Sequence, residues 1–226
     1  MNFSGKYRIE DGLHLVKAVL FDMDGTLFNT EEIHTCATLA VYYQLIGDRQ
    51  GDCPLPNAEE LIGKSDADVF ERIIAPCSAV SCAEFVKLKN WEMLKAVDTL
   101  SLEQLTALMT KGIVPLLKRL RDRRIKMAIV TASEPEVAEV LLSKSGLSPY
   151  FEMVINYNST AYSKPSPSPY LLAMRKLGVN SGETLIFEDS LTGLAAAKAT
   201  KSTTVQVQSF LPPKLCQHNL AITDFR

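Results

Sequence analysis

The chain has 226 residues, of which 46% are hydrophobic, and this is enough to bury a core in one large domain or two unequal ones. Its 24 basic and 26 acidic residues give a net charge of −2, which argues against the basic surface that nucleic acids and anionic membranes require. The same hydrophobic content and charge balance exclude an intrinsically disordered chain.

The cysteines and histidines argue against a disulfide framework and against a zinc site. The five cysteines form no Cys-x-x-Cys pair, and none of the three histidines is spaced with a cysteine as zinc ligands are. Any metal is therefore expected on oxygen ligands. Because the chain shows neither a signal peptide nor an apolar stretch of about 18 residues, we expect a soluble cytoplasmic protein with no membrane or nucleic-acid partner.

The first half of the chain predicts a buried strand and then a run of helices. An Asp11-Gly12 turn separates two apolar runs, and the second run, Leu15–Phe21, is typical of a strand buried on both faces. Apolar residues at helical spacing then predict five helices before Thr110: Ile33–Ile46, Ala58–Ile62, Ala67–Ile74, Ala83–Val97 and Leu102–Met109.

After Gly112, predicted helices and strands alternate, as in a parallel sheet with helices on both faces. The helices are predicted at Val114–Arg123, Glu136–Lys144, Tyr170–Leu177 and Leu191–Ala199, and the strands at Lys126–Val130, Met153–Asn156, Thr184–Phe187 and Thr203–Val207. We therefore predict an α/β fold in which residues 1–29 and 110–226 form a Rossmann-like core domain. An all-helical domain, residues 30–109, is inserted into it.

Side chains that can bind a metal ion or a phosphate follow the predicted strands at the edge where such sheets bind ligands. In chain order they are Asp22 and Asp24, then Thr131, Ala132 and Ser133, then Lys164, and then Glu188 and Asp189. Taken singly, each also fits a turn, a helix cap or a surface lysine. Taken together they indicate carboxylates bridged by Mg²⁺, with a lysine and backbone N–H groups that hold a phosphate. One carboxylate can then attack phosphorus, and another can act as general acid and base.

Four segments resemble the four motifs of the haloacid dehalogenase superfamily. They are DMDGTLF at 22–28, IVTAS at 129–133, SKPSPSPY at 163–170 and IFEDSLTGLAAAKA at 186–199. The helical insertion between the first two motifs resembles a C1-type cap. The segment LIGKSDADVFERI at 61–73 resembles a cap motif of the β-phosphoglucomutase-like and phosphoglycolate-phosphatase-like proteins.

This resemblance implies a role for each matching residue. Asp22 would be the nucleophile, and Asp24 the acid and base, with its backbone carbonyl on Mg²⁺. Asp189 would ligate Mg²⁺, and Glu188 would ligate it or lie behind the ligands. The phosphoryl group would contact Thr131, the Ala132 N–H and Lys164. Further substrate contacts would come from Ser133 and, in the cap, from His34, Gly63, Lys64 and Ser65.

The resemblance also favours one of the reactions known in the superfamily, the cleavage of phosphate esters. An acid at Asp24 can protonate an alcohol leaving group, which favours phosphate esters over C–Cl or C–P bonds. β-Phosphoglucomutases carry an arginine and an asparagine where this chain has Asp66 and Pro135. We therefore predict a Mg²⁺-dependent phosphatase, a monomer or weak dimer, that hydrolyses a small phosphomonoester such as a sugar phosphate or a phosphoglycolate-like compound through an aspartyl-phosphate. A β-phosphoglucomutase-like phosphomutase and a catalytically inactive binding or regulatory protein remain as alternatives.

Overall fold

The computed structural model describes residues 15–47, 53, 56, 57, 61, 66–210, 216 and 220–226. The chain divides into two compact units, of which the first comprises Met1–Asn29 and Leu102–Arg226 and the second Thr30–Ser101. The Asp11-Gly12 turn and most of the helix expected at Ala58–Ile62 lie outside the described residues. None of the described helices has the length and apolar character needed to cross a bilayer.

Within the described residues, the first unit is built on six strands, and every neighbouring pair is parallel. They are β1 (Ala18–Phe21), β2 (Lys126–Val130), β3 (Met153–Ile155), β4 (Thr184–Glu188), β5 (Thr203–Val207) and β6 (Ala221–Ile222). The order across the sheet is β3-β2-β1-β4-β5-β6. The chain therefore winds outward from β1 on one side and returns to β4 on the other. This change of direction opens a crevice at the carboxyl ends of β1, β2 and β4, and the predicted parallel α/β fold is confirmed.

The described residues contain eight α-helices, which account for most of the remaining regular structure. In chain order they are α1 (Glu31–Ile46), α2 (Asp66–Val69), α3 (Cys82–Thr99), α4 (Leu102–Leu108), α5 (Ile113–Asp122), α6 (Pro135–Lys144), α7 (Ser168–Leu177) and α8 (Leu191–Ala199). In helix α5 the apolar spacing of the sequence corresponds to the buried face of the helix. It buries Ile113, Leu116, Leu117 and Leu120, the spacing that places apolar side chains on one helical face.

The second unit has an apolar core of its own. Helices α1 and α3 pack together, and α2 continues into a π-helical turn, Phe70–Ile74. The Ser81 hydroxyl caps α3 by accepting the Glu84 backbone N–H at 3.2 Å. The largest buried side chains among the described residues of this core are Tyr42, Ile74 and Phe85.

An aromatic cluster fixes the position of β1 in the first unit. The ring of Phe21, the last residue of β1, stacks on that of Phe187 in β4 at 5.3 Å between centroids. Phe225 contacts both rings edge-on, at 6.2 and 5.1 Å. All three side chains are fully buried. The residue after Phe21 therefore leaves the sheet from a tightly packed position.

Two features depart from the expectations drawn from the sequence. Strand β6 was not predicted, because two residues are too few to show a period. Helix α4 groups with the first unit, although its helical spacing placed it in the insertion. The cause is the pairing around Phe28 and Met109, which form an antiparallel bridge. Thr110 strengthens it, since its backbone N–H donates to the Leu27 carbonyl at 2.9 Å.

Candidate active site

The Asp-x-Asp segment forms a tight turn at the end of β1. The Asp22 backbone N–H donates to the carbonyl of Phe187 at 2.9 Å, which carries the sheet pairing one residue beyond the strand. The chain then turns at Gly25, whose φ of +81° is a conformation that side-chain-bearing residues rarely adopt. A Cβ atom at Gly25 would also overlap the Asp189 carboxylate. The glycine therefore allows the first and fourth motif segments to approach closely.

Lys164 lies between two carboxylates and is buried, rather than being a surface lysine. Its Nζ is 2.6 Å from Asp22 Oδ1 and 2.6 Å from Glu188 Oε1, and its side chain is 7% exposed. Burial alone would lower the pKa of Lys164, but the charges of Asp22 and Glu188 outweigh it and hold this pKa well above 10.5. Lys164 is therefore a permanent cation at the end of β1.

Glu188, the last residue of β4, is fully buried and accepts hydrogen bonds on both carboxylate oxygens. Oε1 accepts from Lys164 and from the Tyr170 hydroxyl at 3.1 Å. Oε2 accepts from the backbone N–H and the hydroxyl of Ser190, at 2.9 and 3.1 Å. A Cβ atom at Gly193 would overlap this carboxylate, so the first turn of α8 needs a glycine there.

Three carboxyl groups converge at this point with one lysine to balance them. One ligand oxygen from each of Asp22, Glu188 and Asp189 lies within 4.8 Å of the others. Burial, together with the charges of Glu188 and Asp24, raises the pKa of Asp22 from 3.8 to about 8 against the opposing charge of Lys164. Burial, followed by the charge of Glu188, also raises the pKa of Asp189 well above 3.8. A buried surplus of carboxylate oxygens is a donor set that fits Mg²⁺.

The side chain of Asp24 points to the hydroxyl groups that follow β2. Its Oδ2 accepts from the Thr131 hydroxyl at 3.3 Å and forms a short hydrogen bond with the hydroxyl of Ser133. The Ser133 backbone N–H in turn donates to Thr131 Oγ1 at 3.0 Å. The structure thus brings the first and second motif segments together through Asp24, whereas Lys164 joins the third and fourth to Asp22.

A small pocket lies beside these groups, within the first unit. Among its lining residues are Thr131, Ala132 and Lys164, the three residues predicted to bind a phosphoryl group. The rest of its wall comes from the segment after β3 and the start of α7: Asn156, Tyr157, Thr160, Ser163 and Pro169. The phosphate-binding candidates from two separate motifs therefore face one cavity.

The residues expected in the cap fall within Thr30–Ser101, and His34 is the one among them that the structure describes. Gly63, Lys64 and Ser65 lie outside the described residues. His34 is half-buried in α1 of the second unit, and its backbone N–H donates to the Thr30 carbonyl at 2.9 Å.

Several contacts were not expected from the sequence. In the second unit, the nearly buried Lys89 forms an ion pair with Asp66. In the first unit, the buried Gln206 side chain donates to the backbone carbonyl of Asp189 at 3.3 Å. The Tyr170 hydroxyl bonds to Glu188. A polar residue within an apolar helix or strand pattern was the available signal, but it does not reveal the distant partner.

Comparison with known proteins confirms the resemblance to the haloacid dehalogenase superfamily. Residues 16–200 match the family model of the haloacid dehalogenase-like hydrolases. Fructose-1-phosphate phosphatase YqaB of Escherichia coli is 30% identical over 198 residues, which cover 84% of this chain and 95% of that protein. Pyrophosphatase PpaX of Bacillus pumilus is 30% identical over 194 residues, covering 82% of each chain.

The fold also matches solved structures. A mutant of CbbY from Rhodobacter sphaeroides in complex with xylulose-(1,5)bisphosphate superimposes with a TM-score of 0.76. The match covers 93% of this chain and 95% of that chain at 22% identity. At this level of identity, the likeness concerns the fold.

Proposed function

Since this chain belongs to the haloacid dehalogenase-like hydrolases, we propose that it is a Mg²⁺-dependent phosphatase that hydrolyses a small phosphomonoester through an aspartyl-phosphate on Asp22. The observation that carries the proposal is the position of Lys164, 2.6 Å from Asp22 Oδ1 and on the wall of the pocket with Thr131 and Ala132. A fixed cation beside a carboxylate nucleophile is what an incoming phosphoryl group requires.

In the proposed reaction, an Asp22 oxygen attacks phosphorus and the bond from phosphorus to the ester oxygen breaks. The protonated Asp24 carboxyl gives its proton to the leaving alcohol. A water molecule then returns a proton to Asp24 and attacks phosphorus, which releases inorganic phosphate and restores the Asp22 carboxylate. The hydroxyl groups of Thr131 and Ser133 orient Asp24, because both bond to its Oδ2.

The carboxylates of Asp22 and Asp189 and the backbone carbonyl of Asp24 would hold Mg²⁺, with Glu188 at or behind the ligand set. When bound, the ion offsets the negative charge of the carboxylates and of the phosphoryl oxygens. Lys164 supplies the second positive charge. Its position is fixed, because Glu188 Oε1 contacts the Lys164 Nζ at 2.6 Å. The Ala132 backbone N–H would bind a further phosphoryl oxygen, and so would the Thr131 hydroxyl once its proton turns from Asp24 Oδ2 to the substrate.

We propose that the helical insertion is a cap domain that selects the leaving group, with His34, Gly63, Lys64 and Ser65 as candidate substrate contacts. The substrate class is a sugar phosphate or a phosphoglycolate-like compound. A phosphatase is favoured over a phosphomutase because Asp66 and Pro135 replace the substrate-binding arginine and asparagine of the mutases. Pro135 begins α6, where its fixed φ is compatible with the first helical turn.

The test is a hydrolysis screen on the purified chain with Mg²⁺. The panel contains fructose 1-phosphate, glucose 1-phosphate, phosphoglycolate and pyrophosphate, with release of inorganic phosphate as the readout. We expect turnover of at least one monoester, complete loss in Asp22→Asn and reversible loss on chelation of the metal. Asp122→Asn is the matched control, because Asp122 is exposed at the end of α5.

Each alternative predicts a different result. A phosphomutase would convert glucose 1-phosphate to glucose 6-phosphate after priming with a hexose bisphosphate, with little free phosphate. A catalytically inactive binding protein would hydrolyse none of the panel, and its Asp22→Asn variant would bind phosphate as the wild type does. Undiminished turnover in Asp22→Asn would refute the aspartyl-phosphate mechanism.

A further inference from the structure

Tyr170 has a position in the site that no step of the proposed reaction uses. It lies in α7, is fully buried, and donates its hydroxyl to Glu188 Oε1 at 3.1 Å. Its ring also lies beneath the Lys164 ammonium, with Nζ 5.2 Å from the ring centroid, a distance typical of a cation–π contact. Tyr170 therefore contacts both members of the Lys164–Glu188 ion pair.

The Tyr170 hydroxyl is one of the hydrogen-bond donors that hold the Glu188 carboxylate in place. Four donors surround the carboxylate: Lys164 and Tyr170 on Oε1, and the backbone N–H and hydroxyl of Ser190 on Oε2. A carboxylate offers about four acceptor positions, so these four donors occupy them, and Glu188 would then lie behind the metal ligands rather than among them. Glu188 is thus held rigidly by groups of α7 and of the first turn of α8.

Lys164 depends on that rigidity. Two of its three N–H donors are taken by Asp22 and Glu188, which leaves one for a phosphoryl oxygen. The Tyr170 hydroxyl and Lys164 share Glu188 Oε1. Since the hydroxyl satisfies part of the charge on that oxygen, it limits how strongly Glu188 attracts the ammonium away from Asp22.

We propose that Tyr170 is a positioning residue that, through Glu188 Oε1 and its own ring, sets Lys164 at the distance from Asp22 that phosphoryl binding needs. The inference rests on the proposed phosphatase function. The proposed role requires no contact of Tyr170 with the substrate or the metal. The group that produces the effect is the Tyr170 hydroxyl. Without that hydroxyl, Oε1 keeps Lys164 as its one donor among these residues, and the ammonium shifts toward Glu188.

The test compares Tyr170→Phe, which keeps the ring, with Tyr170→Leu, which removes the ring and the hydroxyl. Tyr150→Phe is the matched control, because the Tyr150 ring also lies beneath a cation, Arg121 at 4.9 Å, away from the carboxylates. Three quantities are measured: kcat/KM for p-nitrophenyl phosphate with Mg²⁺, the inhibition constant of inorganic phosphate, and Mg²⁺ affinity from the shift in melting temperature without substrate.

We expect kcat/KM to fall about tenfold in Tyr170→Phe, and the inhibition constant of phosphate to rise about fivefold. Its melting temperature and Mg²⁺ affinity should stay close to those of the wild type, as all values should in Tyr150→Phe. Tyr170→Leu should lose at least as much activity and also melt at a lower temperature.

Wild-type kinetics in Tyr170→Phe would overturn the proposal. It would also be overturned by a fall in Mg²⁺ affinity with unchanged phosphate inhibition, since Tyr170 would then act on the metal. An activity loss that merely follows a lower melting temperature in both variants would identify a packing role and overturn it too. If the wild-type chain itself hydrolyses no phosphate ester, the proposed function fails, whereas an active wild type with an equally active Tyr170→Phe refutes this inference alone.

Discussion

Replacing the proposed nucleophile should make the metal-free protein more stable while it abolishes turnover. At an effective dielectric constant of about 20, the 2.6 Å contact of Asp22 with Lys164 contributes roughly 6 kcal/mol of attraction. Glu188, with an oxygen within 4.8 Å, repels a charged Asp22 by at least about 3.5 kcal/mol, and the charge of Asp24 adds to this repulsion. These charge effects oppose each other, and the cost of burying a side chain that is 6% exposed is the largest contribution and decides the sign.

The raised pKa gives an upper limit for the gain. A rise in the pKa of Asp22 from 3.8 to about 8 corresponds to at most ~6 kcal/mol. In Asp22→Asn, the amide oxygen still accepts from Lys164 but carries no charge. Because the amide must also be buried, we expect a gain of about 2–4 kcal/mol in the free energy of unfolding at pH 8.5.

The gain should depend on pH in a defined direction. Between about pH 4 and pH 8 the Asp22 carboxyl is protonated in the folded chain and ionised in the unfolded one, so the folded chain binds more protons. The stability of the wild type therefore decreases as pH rises through this window. At pH 5 the neutral carboxyl resembles the amide, and the difference between the two proteins should shrink.

The assay is urea unfolding of wild type, Asp22→Asn and the exposed control Asp122→Asn at pH 5 and pH 8.5, in buffer with a metal chelator. We expect a higher urea midpoint in Asp22→Asn at pH 8.5, a small difference at pH 5, and none in Asp122→Asn. A destabilised Asp22→Asn at pH 8.5, or a gain of equal size at both pH values, would refute the reasoning.

Three further substitutions test other parts of the site. In Gly193→Ala the new Cβ meets the Glu188 carboxylate, so we expect a loss of ~1–3 kcal/mol in urea unfolding and of most phosphatase activity. Gly182→Ala, whose Cβ would lie 3.4 Å from Asn180 Oδ1, should change neither. Asp24→Asn should lower kcat by roughly 10²–10⁴ and accumulate phosphorylated protein with p-nitrophenyl phosphate, visible by intact mass; equal kcat would contradict its acid–base role. Ser133→Ala should lower kcat about tenfold by removing one donor to Asp24, and an unchanged kcat would contradict the role of this hydroxyl in orienting that carboxyl group.

The parallel sheet and the placement of the motif residues were predictable because both depend on local pattern. Apolar runs such as residues 127–130 define buried strands, and in a parallel sheet the carboxyl ends of the strands meet at one edge. Asp22, Thr131, Lys164 and Glu188 could therefore be assigned to one crevice before any distance was known.

The contacts that tune the site depend on partners far away in the sequence. Tyr170 and Glu188 are 18 residues apart in the sequence. The apolar ring of Tyr170 fits the buried face of α7, so the helical pattern gives no sign that its hydroxyl has a partner. Helix α4 has a helical period that fits either unit, and long-range contacts assign it: the bridge from Phe28 to Met109 and the packing of α4 on α6. Side-chain pairing and long-range bridges leave no period in the sequence, which is why they escaped prediction.

The pairing around that bridge also bears on how the helical segment could be exchanged. The Asn29 backbone N–H donates to the Leu108 carbonyl at 2.8 Å, and the Thr110 hydroxyl donates to the Thr26 carbonyl at 2.6 Å. Hydrogen bonds within the first unit thus hold together the two segments at which the helical insertion begins and ends. Since those ends are already side by side, inserts of different length would add little closure entropy. The crevice chemistry and the inserted segment can therefore diversify independently, as exchangeable modules of one chain.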